Sequence, residues 1–309
     1  MKIAVVGVGA MGSVYAGLLG DAGNEVWAVD RWAEHIEAIR ENGLRVEGAS
    51  GERTVRMSAT TDAGEVGVCD LVIIATKAMH VEDAARAVRP MIGNDTTVLT
   101  IQNGLGSPQK VAAILGDDVV AVGVVGGFGA SIVAPGHAHH NGWQLVRLGE
   151  MNGPVTPRLE RIEKVWRDAG FTVRAFDDIH QMIWEKLICN VAFSGTCALT
   201  EWTVGEVLAS EDAWAVASNC GREAYETARA KGIALDFDEP VAYVRDFGAR
   251  MPDARPSMLL DHIEGRASEI DAINGAIPPA AKEVDIKTPF NETVSALVRA
   301  KETRLGLRP

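Results

Sequence analysis

The chain has 309 residues, with 30 Lys and Arg against 42 Asp and Glu, so its formal net charge is −12. This length predicts two domains, and no apolar stretch approaches the roughly 20 residues that a bilayer-spanning helix needs. The acidic balance argues against binding to nucleic acid or to an anionic membrane surface.

The cysteines indicate a reducing compartment. Cys69, Cys189, Cys197 and Cys220 form no C-x-x-C pair, and each lies in an apolar or helical context, so we expect buried free thiols. The first predicted strand begins at Lys2, which leaves no room for a signal or transit peptide. We therefore expect the protein in the cytoplasm.

Short apolar runs alternate with helical segments through the first half of the chain. Residues 2–6 are typical of a buried parallel strand, a helix of small residues runs from about 11 to 21, and residues 25–29 form the second strand. Further strands are predicted at 70–75, 97–101, 118–125 and 171–176. The alternation predicts an α/β fold with a Rossmann-like, doubly wound parallel sheet.

The pattern changes after about residue 177, where strand-like runs give way to helical stretches. Helices are predicted over 178–200, 203–232, 238–251, 257–276 and 289–303. The sequence therefore predicts an α/β domain over 1–177, followed by an all-α C-terminal domain over 178–309, with a cleft between them. The helical domain would be compatible with a homodimer.

A glycine-rich loop joins the first strand to the first helix. Its G-x-G-x-x-G pattern, Gly7-Val8-Gly9-Ala10-Met11-Gly12, lies about 20 residues before an acid at the end of the next strand. Gly7 permits the tight turn, Gly9 lets a pyrophosphate approach the backbone, and Gly12 lets the helix and strand pack closely. We expect the helix start, with Ala10 and Met11, to bind phosphates through free N–H groups. Residues 1–177 are thus predicted to bind NAD or NADP.

Asp30 and Arg31, at the end of the second strand, favour different cofactors. A carboxylate at this place accepts hydrogen bonds from both ribose hydroxyls of NAD and repels the 2′-phosphate of NADP. Arg31 could pair with that phosphate, stack on adenine, or be a solvated surface arginine. Because of Asp30, we expect NAD.

Motifs along nearly the whole chain carry a resemblance to a known family. They are Thr76-Lys77-Ala78, Ile101-Gln102-Asn103-Gly104, Trp184-Glu185-Lys186-Leu187 before Asn190, Pro256-Ser257-Met258-Leu259, Ser268-Glu269-Ile270-Asp271 and Ile273-Asn274-Gly275. In that order and spacing, the chain resembles the ketopantoate reductase (2-dehydropantoate 2-reductase) family. The resemblance implies that a 2-oxo acid, ketopantoate by default, is reduced to a 2-hydroxy acid with a nicotinamide cofactor.

Lys186, Asn190 and Ser194 are spaced by four residues, so they share one face of a predicted helix. A lysine in an otherwise apolar helix is costly to bury without a partner, although its ammonium could also extend to the surface. The resemblance implies that Lys186 is the general acid, which stabilises the developing oxyanion and supplies its proton. It also implies substrate contacts for Asn190 and Ser194. Some members carry a second asparagine in place of Ser194, which leaves the substrate open.

Lys77 and Asn103 follow the C-terminal ends of two predicted parallel strands, where such sheets bind their ligands. The resemblance implies that they hold the cofactor ribose and nicotinamide and help to orient the substrate. A simple turn is the alternative explanation for Asn103-Gly104.

The resemblance also implies roles for an acid and a serine. Glu269 would contact the substrate hydroxyl and Lys186, although the helical pattern favours it no more than Glu264 or Asp261. Ser257 would bind the substrate carboxylate at a helix start, and it could instead be a plain N-cap serine.

Two further functions are compatible with the sequence. An NAD-dependent D-2-hydroxy acid dehydrogenase, acting on a bulkier acid such as mandelate, would use Trp184, Phe193 and Met258 to line a larger pocket. A cofactor-sensing protein without turnover has no need of a proton donor, so Lys186 and Glu269 argue against it.

The H-x-H-H run of His137, His139 and His140 follows Pro135-Gly136. A metal site would need further ligands, and none stands out in the sequence. We expect a hairpin loop with exposed histidines and no metal.

Overall fold

The computed structural model describes residues 1–127, 129–142 and 145–308, which form two compact units. Unit 1 comprises Met1–Gln102 and Ser107–Ile179, and unit 2 comprises Asn103–Gly106 and His180–Pro309. The predicted fold class is confirmed, with a mostly parallel sheet in unit 1 and helices in unit 2.

Unit 1 contains all strands of the described residues. They are β1 (Lys2–Val6), β2 (Glu25–Val29), β3 (Leu44–Gly48), β4 (Arg53–Val55), β5 (Ser58–Thr60), β6 (Leu71–Ile74), β7 (Thr97–Thr100), β8 (Val120–Val125), β9 (Gly129–Ala134), β10 (His137–Gly142), β11 (Val146–Glu150) and β12 (Val173–Ala175). Its helices are α1 (Ala10–Asp21), α2 (Ala33–Asn42), α3 (Val81–Ala87), α4 (Ser107–Leu115) and α5 (Pro157–Asp168).

The main sheet has the strand order β12-β11-β8-β7-β6-β1-β2-β5. Every neighbouring pair is parallel except β11 and β8. β6 and β7 are buried throughout because helices cover both faces of the sheet, which explains why their sequences are continuous apolar runs. The order of the strands reverses at β1, and ligands of such sheets bind beside the carboxyl ends of the strands at this point.

A second sheet, of order β4-β3-β10-β9, was not predicted from the sequence. The histidine run lies in its strand β10, in an antiparallel hairpin with β9, so the expected loop position is wrong. His140 is fully buried, and the His137 side chain is only 17% exposed because it contacts Glu47 on β3. His139 is half-buried, with a side chain that is 41% exposed and lies 3.5 Å from Glu47.

The helices of unit 2 are α6 (Ile179–Thr200), α7 (Val204–Ala209), α8 (Glu211–Ala230), α9 (Pro240–Ala249), α10 (Ser257–Ile263), α11 (Ile277–Lys282) and α12 (Pro289–Arg304). The helix predicted over 203–232 is two helices, because the Ser210 side chain caps α8 by accepting a hydrogen bond from the Ala213 N–H. The helix predicted over 257–276 ends at Ile263, two residues before Gly265, whose φ is +69°.

All four cysteines are free and buried, as expected. Across the described ranges, the helices lack the combination of length and hydropathy that a membrane crossing demands. The same residues place no three His, Cys, Asp or Glu side chains together as a potential metal site.

Candidate active site

The glycine loop between β1 and α1 depends on glycine at two positions. Gly7 has a φ of +94°, and a Cβ at this residue would lie 2.6 Å from the Thr76 nitrogen. A Cβ at Gly12 would lie 2.0 Å from the Gly7 carbonyl oxygen. Gly7 therefore permits the turn and its close approach to the end of β6, and Gly12 permits close packing of α1 against the loop.

Gly9 has the opposite surroundings. It is exposed, and a Cβ built on it would meet no heavy atom within 4 Å. Gly9 is the N-cap of α1, where no side chain caps the helix and no acid lies in the first turn. The N–H groups at the start of α1, which include those of Ala10 and Met11, lack intrahelical partners. This open, uncapped helix start fits the pyrophosphate of a dinucleotide.

A buried hydrogen-bond chain supports the loop from below. The Gly136 N–H donates to Nδ1 of His35 at 3.0 Å, so the proton of the neutral ring lies on Nε2. Nε2 then donates to Ser13 Oγ at 3.2 Å, and Ser13 Oγ donates to the Val8 carbonyl at 2.9 Å. Burial lowers the pKa of His35, which keeps the ring neutral and this polarity fixed.

The remaining predicted cofactor residues of unit 1 follow β2 and β6, which flank β1 in the sheet. Asp30 accepts a hydrogen bond from the Trp32 N–H at 3.0 Å. Arg31 lies 3.5 Å from Asp83, with side chains 75% and 54% exposed, so this ion pair is weak. Lys77 is half-buried after β6. These residues and the glycine loop share the carboxyl edge of the sheet.

In unit 2, three of the predicted site residues lie together. Lys186 Nζ, on α6, donates to Asn103 Oδ1 at 2.6 Å. Asn103 Nδ2 donates to Glu269 Oε2 at 3.4 Å, and Glu269 is only 6% exposed. The orientation of the amide is thus set on both sides, because an ammonium can only donate and a carboxylate can only accept.

The loop Asn103–Gly106 belongs to unit 2 because it docks on the segment that carries Glu269. The Leu105 N–H donates to the Ala272 carbonyl at 2.9 Å. Gly104 has a φ of +83°, and a Cβ there would lie 1.9 Å from the Ala272 oxygen. The Asn103-Gly104 pair is therefore more than a simple turn, because its backbone packs directly against the Ala272 carbonyl of the segment that carries Glu269.

The predicted substrate residues have different surroundings. Asn190 is half-buried one helical turn after Lys186, whereas Ser194, a turn further, is only 4% exposed. Ser257 is exposed at the first residue of α10, where Pro256 holds the N-cap position and no side chain caps the helix. The plain N-cap explanation for Ser257 is therefore wrong.

The two alternative acids face another partner. Asp261 lies 3.1 Å from an Arg266 nitrogen, and Glu264 forms an ion pair with the same guanidinium. Glu269 is thus the acid, of the three, that contacts Asn103. Its segment between α10 and α11 is not helical, which explains why helical phase could not identify it.

Sequence reasoning missed Gln102 as a structural element of the site. Its Nε2 donates to the carbonyls of Ile74 at 2.6 Å and Thr76 at 3.2 Å, so it ties the ends of β6 and β7 together within unit 1. The signal was its position in the Ile101-Gln102-Asn103-Gly104 motif, between a buried strand and a site residue.

Comparison with known proteins gives matches along nearly the whole chain. A family model described as Ketopantoate reductase PanE/ApbA matches residues 3–153, and the corresponding C-terminal model matches residues 178–302. A 2-dehydropantoate 2-reductase of Streptococcus pyogenes serotype M3 is 30% identical over 309 residues, which covers 100% of both chains. One from Pyrococcus horikoshii is 30% identical over 306 residues, or 99% of each chain.

Solved structures give the same result. A PanE/ApbA family ketopantoate reductase from Ralstonia eutropha JMP134 superposes with a TM-score of 0.91 at 32% identity, over 99% of this chain and 100% of that chain. D-mandelate dehydrogenase in a ternary structure with NADH and anilino(oxo)acetate superposes with a TM-score of 0.88 at 29% identity, over 100% of both chains.

Proposed function

The chain belongs to the ketopantoate reductase family, and on this premise we propose that it reduces the 2-oxo acid ketopantoate to the 2-hydroxy acid pantoate with a nicotinamide nucleotide. The observation that carries the proposal is the chain of contacts from Lys186 through Asn103 to Glu269. It holds an ammonium group in a defined position, which is what protonation of a ketone oxygen requires.

We assign cofactor binding to residues 1–177 and substrate binding and catalysis to residues 178–309. The glycine loop and the start of α1 bind the pyrophosphate, and Lys77 and Asn103 contact the ribose and nicotinamide. When bound, the reduced nicotinamide supplies the hydride that adds to the ketone carbon of the substrate.

Lys186 is the acid in this reduction. As the carbonyl carbon gains hydride, negative charge develops on the oxygen, and the ammonium both stabilises that charge and gives it a proton. The carbonyl thereby becomes a hydroxyl, and the lysine becomes a neutral amine. Asn103 Oδ1 accepts a hydrogen bond from one of the three ammonium N–H groups and so limits the directions in which the other two point.

Glu269 and the predicted substrate residues orient the reacting acid. Glu269 accepts a hydrogen bond from the substrate hydroxyl that forms. Ser257, exposed and without a capping role, binds the substrate carboxylate. Asn190 faces the substrate one turn after Lys186, and the buried Ser194 closes that face of α6.

We propose NAD as the preferred cofactor. Asp30 lies at the end of β2, where its carboxylate accepts hydrogen bonds from the ribose hydroxyls and disfavours a 2′-phosphate. Arg31, exposed and only weakly paired with Asp83, is the residue that could accommodate NADP. Replacement of Asp30 by Ala should therefore lower the ratio of kcat/KM with NADH to kcat/KM with NADPH.

A second candidate is a D-2-hydroxy acid dehydrogenase with a bulkier, mandelate-like substrate. It is supported by the match to D-mandelate dehydrogenase with NADH over the full chain and by Asp30. Trp184, Phe193 and Met258, predicted to line a larger pocket, pack in the hydrophobic core of unit 2, so their placement does not support this candidate. The same lysine would act as the base in the oxidative direction.

We propose a cytoplasmic location, which suits four buried free thiols, and a homodimer formed through the helical unit. Light scattering of the purified protein tests the second statement, since a monomer mass would refute it.

The deciding experiment is a screen of 2-oxo acids with NADH and with NADPH, in which the loss of absorbance of the reduced cofactor measures the rate. We expect the highest kcat/KM for ketopantoate with NADH. A higher value for phenylglyoxylate would favour the mandelate-like alternative, and a strong preference for NADPH would overturn the assignment of Asp30. Absence of turnover with every acid would refute the proposed function.

A further inference from the structure

The turn of residues 268–272, which we call the Glu269 turn, is held from the side by α12. Glu302 on this helix is fully buried. Its Oε1 accepts hydrogen bonds from the Ser268 N–H at 2.8 Å and from Ser268 Oγ at 2.5 Å. His262 Nε2 lies 3.1 Å from the same oxygen, and Arg308 Nε donates to Oε2 at 3.1 Å.

The other end of the Glu269 turn is held by the same helix and the residues that follow it. Asp271 Oδ1 accepts a hydrogen bond from Arg299 Nε at 2.7 Å, and Asp271 Oδ2 accepts one from Arg308 Nη2 at 2.6 Å. Arg308 therefore bridges Asp271 and Glu302. Ser268 is thus held through its backbone N–H and its hydroxyl, and Asp271 through its side chain, by charged groups of α12 and of Arg308.

The Glu269 turn in turn fixes the loop that carries Asn103. Ala272 accepts the Leu105 N–H, and Gly104 lies against the same carbonyl. The Glu269 side chain accepts from Asn103, which accepts from Lys186. A shift of this turn would therefore displace two of the three groups that define the proposed acid site.

We propose that Glu302 is a positioning residue, which holds the Glu269 turn so that Glu269 and Asn103 keep Lys186 in its reactive place. The inference rests on the proposed function. It adds a buried carboxylate that takes no part in the reaction itself and holds the groups that do. Hydrogen bonds to a charged acceptor are stronger than neutral ones, so a carboxylate holds the turn more firmly than an amide would.

Burial alone would raise the pKa of Glu302. The hydrogen bonds from His262 and Ser268 and the charge of Arg308 outweigh burial and lower this pKa to about 2, so the carboxylate is ionised at neutral pH. A buried charge is tolerated when its oxygens are paired and hydrogen-bonded, as they are here.

The test compares Glu302→Gln with Glu292→Gln, a matched change at an exposed residue of the same helix. We expect Glu302→Gln to lower kcat for the 2-oxo acid by at least about tenfold, because small misplacements of reacting groups have large effects on rate. The dissociation constant of NADH, measured by fluorescence, should stay within about twofold. Glu292→Gln should leave both quantities unchanged.

A double-mutant cycle separates positioning from a loss of general stability. In a Glu269→Gln background, Glu302→Gln should lower kcat by a smaller factor than in the wild type, because one of its two routes to Lys186, through the Glu269 carboxylate, is already weakened, while the backbone contact at Ala272 remains. An equal loss in both backgrounds, or a kcat for Glu302→Gln within about twofold of wild type, would overturn the inference. Should Glu302→Gln fail to fold, Ser268→Ala takes its place in the cycle with the same criteria.

Hydrogen exchange gives a readout that does not need activity. Glu302→Gln should increase exchange at the amides of residues 268–273, and Glu292→Gln should not. If the wild-type protein reduced no 2-oxo acid, the proposed function would fail, and exchange would still decide whether Glu302 holds the turn. Unchanged protection of these amides in Glu302→Gln would refute that role.

Discussion

Replacement of Gly104 by Ala tests whether the contact between the Asn103 loop and the Glu269 turn sets the reactive geometry. Gly104 has a φ of +83°, and its new Cβ would lie 1.9 Å from the Ala272 carbonyl oxygen. The left-handed conformation costs about 1–2 kcal/mol for a residue other than glycine. Loss of the hydrogen bond from Leu105 to Ala272 adds about 1 kcal/mol.

The effect on the reaction follows from the same distance. Real Cβ atoms essentially never approach a heavy atom within 3.0 Å, so the loop and the turn must separate by about 3.0 − 1.9 = 1.1 Å. A misplacement of about 1 Å can lower a rate about 100-fold. We therefore expect Gly104→Ala to lower kcat about 100-fold and the free energy of unfolding by about 2–3 kcal/mol.

Gly106 provides a matched control in the same loop. Its φ is +91°, but a Cβ there meets nothing within 4 Å. Gly106→Ala should lower the free energy of unfolding by about 1–2 kcal/mol and change kcat by less than about threefold. Steady-state kinetics and urea unfolding of both variants make the comparison. Equal losses of kcat in Gly104→Ala and Gly106→Ala would refute the reasoning, because backbone strain alone would then explain the loss.

Three side chains give further expected outcomes. The pKa of Glu302 falls from an ordinary 4.5 to about 2 on folding, so this group contributes stability above about pH 4.5 that is lost as the pH falls towards 2. In urea unfolding, the difference in free energy of unfolding between wild type and Glu302→Gln should therefore shrink from pH 7 to pH 3. A constant difference would contradict this. Burial lowers the pKa of His35 from 6.5, so the unfolded chain binds more protons and the free energy of unfolding should fall as the pH drops below about 6.5. His35→Gln should reduce this dependence of the free energy of unfolding on pH between pH 7 and pH 5. An unchanged dependence would assign it to other groups. Ser257→Ala should raise the KM of the 2-oxo acid about tenfold at unchanged affinity for NADH, since a hydrogen bond to a charged group is worth about 1.5–3 kcal/mol, whereas an unchanged KM would remove Ser257 from the site.

The main sheet could be predicted because its strands are buried on both faces. β1 and β2 have the predicted bounds, since apolar runs flanked by glycine or acidic residues leave little choice of limits. The second sheet was missed because β3 and β10 carry charged residues or histidines in place of a continuous apolar run. Their pairing depends on contacts between distant parts of the chain, which no local pattern records.

The proposed active-site residues were chosen from motifs, without their geometry. The sequence indicates that Lys186 and Glu269 matter, but Asn103 as the residue between them emerges only from the structure. Glu302 gave no signal, because a glutamate near the end of an amphipathic helix resembles a solvated one. Its burial follows from packing against Ser268 and Arg308, which is a tertiary effect.

The most direct test of the account is the kcat of Lys186→Ala, compared with Lys282→Ala, an exposed lysine of the same unit. Loss of the proton donor and of its charge should lower kcat at least about 1,000-fold at unchanged affinity for NADH, and added alkylammonium ions should restore part of it. Lys282→Ala should behave as wild type. A kcat for Lys186→Ala within a few-fold of wild type would contradict the assignment of Lys186 as the acid of the reaction.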